Sequence, residues 1–108
     1  AMNIIFVSHC NFHGNSAMHL FSIADALTQT GHSCAICVPG GPETVLAHGK
    51  PSFQILDYDT ADRHGVSFPN GEPPTWVHAW TPRELVRKMT MSLVRRYNVP
   101  YFVHLEDN

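Results

Sequence analysis

Asn3-Ile4-Ile5-Phe6-Val7-Ser8 is a nearly continuous apolar run, the pattern of a strand covered on both faces rather than one half-exposed to water. Such a strand belongs inside a parallel sheet, and parallel neighbours need crossover connections, usually helices. The chain supplies one at once. His13-Gly14-Asn15-Ser16 carries turn and N-cap residues, and Leu20, Ile23, Ala24 and Leu27 then recur at helical spacing until Gly31 closes the helix. Ser33 to Val38 reads as a second strand ended by Pro39-Gly40-Gly41-Pro42, with a short helical turn at Val45-Leu46-Ala47 and a third strand at Phe53 to Leu56.

Asp57 to Thr75 is polar and rich in Gly and Pro. It reads as one loop, long enough to be functional or mobile. Trp76-Val77-His78-Ala79-Trp80 is a fourth strand, and Thr81-Pro82-Arg83-Glu84 predicts a helix start with a Thr N-cap, Pro at the first position and Glu completing a capping box. Leu85, Val86, Met89 and Leu93 give that helix its buried stripe, and Pro100 to Leu105 is a fifth strand. Alternating strands and helices predict a Rossmann-like α/β fold, three layers (α/β/α) with a parallel sheet in the order 3-2-1-4-5.

The 108 residues suit one domain spanning 1–108; 44% are apolar and 15% charged, a folded rather than a disordered composition. Ala1 before Met2 reads as a residue left from tag removal. Seven Lys+Arg against nine Asp+Glu give a net charge of -2, so no overall basic field gathers nucleic acid, and no nucleic-acid partner is expected. No apolar run approaches the roughly 18 residues that span a bilayer or forms a signal-peptide core, so the expected compartment is the cytoplasm. Arg83, Arg87, Lys88, Arg95 and Arg96 crowd one helix. They are a solvated face or a weak attraction to an anionic membrane or phosphate. The three cysteines, an odd number, argue against a disulfide framework. Cys34 and Cys37 form a C-x-x-C within a strand, where residues three apart point to opposite faces.

In such sheets ligands bind outside the carboxyl ends of the strands at the switch point. The segments expected there are His9 to Asn15, His78 to Glu84 and His104 to Asn108. Of eight histidines, His9, His13, His78 and His104 fall at or just past predicted strand ends, where imidazoles could hydrogen-bond, transfer protons or ligate a metal. Gly14 would let a ligand approach the backbone at a helix N-terminus, although the full G-x-G-x-x-G fingerprint is absent. Glu106 and Asp107 could bind sugar hydroxyls, hold a cation or start a helix.

Met2 to Ser8, His13-Gly14-Asn15-Ser16-Ala17-Met18-His19-Leu20, Thr30-Gly31-His32 and Val77-His78-Ala79-Trp80 together resemble the N-terminal domain of GT-B glycosyltransferases of the family 4 type. The resemblance covers nearly the whole chain. It implies an enzyme of two Rossmann-like domains that moves a sugar from a nucleotide-sugar donor to an acceptor, without an obligatory metal or other cofactor. This chain would be the acceptor-side domain, inactive alone, with the donor bound mainly by a second domain. His13, Gly14 and Asn15 would face the donor across the cleft, with His9, Trp80, Arg83, Glu106 and Asp107 binding substrate. Two positions depart from the family: Gly14-Asn15 stands where Gly-Gly is common, and Trp80 where many members carry the second His of His-x-His. His78 matches the first His and is the one candidate catalytic residue, as a crevice-lining group rather than a general base.

Two other function classes fit the residues. One is a small metal-dependent hydrolase with His9, His13, His78, His104 and Glu106 or Asp107 around zinc or a similar ion. The other is a non-catalytic ligand-binding module.

Overall fold

The computed structural model describes residues 1–105. Five strands, β1 (Asn3–Val7), β2 (Ser33–Val38), β3 (Gln54–Asp57), β4 (Trp76–Trp80) and β5 (Tyr101–His104), form one parallel sheet in the order β3-β2-β1-β4-β5. The expected order is the observed one, and its cause is legible: β1 is buried along its whole length because it has neighbours on both sides and cover on both faces. Right-handed crossovers then fix the layers. Helix α1 (Asn15–Gln29) and a 3-10 turn (Pro42–His48) cover one face, over Ile4, Phe6, Cys34, Ile36 and Val38. Helices α2 (Tyr58–His64) and α3 (Glu84–Tyr97) cover the other, over Ile5, Val7, Ala35, Cys37, Val77 and Ala79.

Cys34 and Cys37 fall in opposite layers, as their spacing requires. Burial pushes both thiols up, Cys37 to about 12 with the nearby Asp57 charge adding to the effect. A thiol reagent at about pH 8 should therefore modify one cysteine per native chain, the half-buried Cys10, and three after unfolding. Release of more than one equivalent from native protein would contradict this burial.

Several expectations are corrected. Residues 57–75 are not one loop, because Asp57 caps α2 by accepting the Thr60 N–H at 2.7 Å and Ala61 is buried between layers. A helix of seven residues gives no periodicity to read. The remaining loop is pinned: the buried Asn3 amide donates to Asn70 Oδ1 (2.9 Å), Glu72 O (3.1 Å) and Pro73 O (3.2 Å). Strand β3 starts one residue later than expected, and α1 ends as expected, with Gly31 taking φ 94° beyond the Thr30 cap.

The capping box at Thr81 does not form. Thr81 extends the β4–β5 ladder instead, donating its N–H to His104 O at 3.1 Å. Arg83 is the N-cap of α3, and Glu84 chelates Arg87 rather than a backbone N–H. Leu85 is 41% exposed; the buried stripe is Val86, Met89, Thr90 and Leu93, at the i, i+3, i+4, i+7 spacing, and Leu85 lies about 100° round the helix from Val86.

Candidate functional site

The carboxyl end of β1 leads into a turn held by its own short polar side chains and by neighbours. Ser8 Oγ donates to Cys10 O at 2.8 Å and accepts the Cys10 N–H at 3.2 Å, while Asn11 Oδ1 accepts the His13 N–H at 3.0 Å. The Gly14 N–H closes the turn on Asn11 O at 3.0 Å. Phe12 anchors it from below. Its ring is buried against Phe21, its N–H donates to Thr44 Oγ1 (3.0 Å), and its carbonyl accepts from His48 Nε2 (2.8 Å). From the opposite layer, Tyr58 Oη donates to Ser8 O at 2.5 Å, and burial raises the Tyr58 pKa, so this phenol keeps its proton.

Gly14 is the N-cap of α1 with an extended backbone and no side-chain cap, so first-turn N–H groups of α1 lack the usual side-chain acceptor. A side chain there would crowd its neighbour: a Cβ would lie 2.5 Å from Cys10 Sγ, which would have to move aside. His13 and Asn15 are exposed on either side of Gly14, and His9 Nε2 hydrogen-bonds Ser16 Oγ at 3.1 Å in the first turn of α1. An uncapped helix N-terminus with small and polar neighbours suits an anionic group.

Around the next turn of α1 a shallow cavity of about 400 Å³ is lined by His19, Ser22, Ile23, Trp80 and His104. Parallel register sets Trp80 beside His104, and their rings stack at 3.9 Å with 6° between planes. His78 lies not at the strand end but at the centre of β4, with ring centroids 5.5 Å from Phe6, 5.7 Å from Trp80 and 6.3 Å from Phe102. Burial lowers its pKa, and the nearby His104 lowers it further. A neutral imidazole is thereby favoured in the fold.

The sign of that shift gives a test. The unfolded chain binds a proton at His78 near the ordinary pKa of about 6.5, while the folded chain binds it only at lower pH, so stability is lost as pH falls through that window. His78→Phe, whose ring can pack among Phe6, Trp80 and Phe102, should lose less stability between pH 7.5 and about 5 than the parent chain, read as urea midpoints. Equal losses in both would remove His78 as the source.

The expected residues therefore form two neighbouring groups. His9, His13, Gly14 and Asn15 share the α1 N-terminus, and Trp80 with His104 forms an aromatic wall one helical turn away. Arg83 lies beyond Thr81 at the start of α3. Glu106 and Asp107 lie outside the described residues. Among the described residues no three His, Cys, Asp or Glu side chains are grouped to hold a metal ion, so the four histidines named from the sequence do not make one cluster. No described helix is long and apolar enough to cross a membrane. Residues not singled out from sequence as lining the site are His19 and Ser22, and as its supports Phe12 and Tyr58. His19 and Ser22 could have been found from helical phase, since His19 lies four residues after Asn15; the supports required the tertiary fold.

This architecture defines a Rossmann-like α/β protein. No protein-family model matches the chain, and no curated protein matches it in sequence. Among solved structures, that of MT0777 is similar, with a TM-score of 0.64 at 7% identity over 95% of this chain and 68% of the other. At that identity the likeness is one of fold.

Proposed function

We propose that this chain is the acceptor-side, N-terminal domain of a GT-B glycosyltransferase of the family 4 type, in which a sugar passes from a nucleotide-sugar to an acceptor hydroxyl. The observation that carries the reading is the turn at the carboxyl end of β1: Gly14 caps α1 with no side-chain acceptor, and exposed His13 and Asn15 flank it. That arrangement offers backbone N–H groups and side-chain donors to a diphosphate approaching from a facing domain. The aromatic wall of Trp80 and His104 beside His19 and Ser22 suits the apolar face and hydroxyls of an acceptor. Trp80 cannot take a proton, so in this reading the residues of this half orient substrate and exclude water, and His78 lines the wall from within the sheet.

The test uses the natural gene product that contains this chain, incubated with uridine, guanosine, adenosine and thymidine diphosphate sugars while free nucleotide is measured. Nucleotide release should be detected with one donor class, and Gly14→Val, which intrudes on Cys10 and the α1 N-terminus, should lower kcat by at least about 100-fold, the cost of misplacing a substrate by about 1 Å. No release with any donor, from a gene product lacking a second α/β domain, overturns the proposal.

A further inference from the structure

On the opposite face of the sheet from Trp80 and His104, β4, β5 and α3 enclose a cavity of about 340 Å³ lined by Ala79, Thr81, Thr90, Met91, Tyr101 and Val103. It contains two anomalies. The first is Thr90, 1% exposed inside α3, whose hydroxyl has no hydrogen-bond partner. A mid-helix hydroxyl can bond back to the carbonyl one turn earlier, as Ser22 does to Met18 O in α1 and Thr30, its C-cap, to Ala26 O, though Thr28 of α1 has no such bond. Thr90 does not.

The second is Thr81, 0% exposed, whose hydroxyl is also unpartnered and whose φ of 87° is a backbone state that β-branched residues avoid. Two buried, unpartnered hydroxyls border one cavity, and one of them belongs to a residue with a strained backbone at a strand's carboxyl end, a combination found at ligand sites. The remaining lining is apolar apart from the Tyr101 phenol and Arg87. Arg87, the charged residue at the rim, already has Nε and Nη2 on the Glu84 carboxylate at 3.0 and 2.6 Å, so the cavity offers no uncompensated charge to an ion.

We propose that this cavity binds a small neutral molecule with an apolar body and one hydroxyl or carbonyl group, the body against Met91, Tyr101 and Val103 and the polar group on the Thr81 and Thr90 hydroxyls. The site is separate from the glycosyltransferase reading and stands or falls without it.

Benzyl alcohol is a suitable probe, with benzoate as its anionic counterpart, in a titration of the isotope-labelled chain followed by amide and methyl resonances. Benzyl alcohol should give saturable shifts confined to Thr81, Thr90, Met91 and Val103 in the millimolar range expected of so small a ligand, and benzoate should bind at least about tenfold more weakly because its charge would be buried unpaired. Thr90→Val should have opposite effects on two readouts: affinity for benzyl alcohol falls about fivefold, while Tm rises by roughly 4–8 °C as an unsatisfied buried hydroxyl is replaced by a methyl of the same shape. Thr90→Ser keeps the hydroxyl and should keep the affinity. Absence of saturable shifts in the parent chain up to roughly 50 mM, unchanged affinity in Thr90→Val, or a lower Tm in that variant would each overturn the proposal.

Discussion

Phe12→Ala should lower the unfolding free energy by about 3–5 kcal/mol, the range for truncating a buried aromatic ring, and Tm by more than about 12 °C. The ring is 1% exposed and meets Phe21 edge-on at a centroid distance of 6.4 Å. The larger interest lies in what it holds. With the ring gone, the turn that presents His13, Gly14 and Asn15 loses its apolar anchor and keeps its polar contacts, among them those of the Phe12 N–H and carbonyl to Thr44 and His48. Amide hydrogen exchange at residues 9–14 should accelerate more than exchange in β1. A loss under about 1 kcal/mol would mean that the turn is held by its polar contacts alone.

Asn3→Asp is expected to be the most damaging single-atom change in the chain. The Asn3 amide nitrogen donates to three oxygens, of Asn70, Glu72 and Pro73, and the side chain is 2% exposed. A carboxylate has no donor and would set its charge against the Glu72 and Pro73 carbonyls, with the Asn70 amide, which donates to Asn3 Oδ1 at 3.2 Å, as its neutral donor there, so a loss of roughly 3–5 kcal/mol follows from burying a charge with no opposite charge beside it. Asn3→Ala takes the donor from the Glu72 and Pro73 carbonyls without the repulsion, while Asn70 Oδ1 keeps the Glu72 N–H, and should cost about 2–3 kcal/mol. Equilibrium urea unfolding of the two variants separates the effects, and equal losses would show that repulsion plays no part. In both, exchange at residues 70–73 should rise first, because the amide ties that part of the loop to the sheet, whereas Thr75 is also held by the Asn3 backbone.

The sheet was legible because the physics behind it is local and repetitive. Five apolar runs separated by turn residues admit few topologies once crossovers must be right-handed, and the burial of β1 on both faces is visible in Asn3 to Ser8 alone. What the sequence concealed is decided by tertiary partners. Asp57 looked like the start of a loop because a helix of seven residues is too short to show a stripe, yet its carboxylate caps the first turn and Ala61 fits under α3. Thr81-Pro82-Arg83-Glu84 satisfied the rules for a helix start, but pairing with β5 claimed the Thr81 N–H first and moved the start to Glu84. The candidate site was half visible in the same way: Gly14 follows from its turn, whereas the grouping of Trp80, His104 and His19 depends on strand register and helix phase together.

The stack of Trp80 on His104 has an optical consequence. A ring in face contact with an indole alters its emission, so Trp80 fluorescence is tied to the position of His104. With the rings 3.9 Å apart, any molecule that enters beside His19 and lifts His104 away alters that emission without a label being attached. The fold thus carries its own spectroscopic reporter at the place where substrate is proposed to lie.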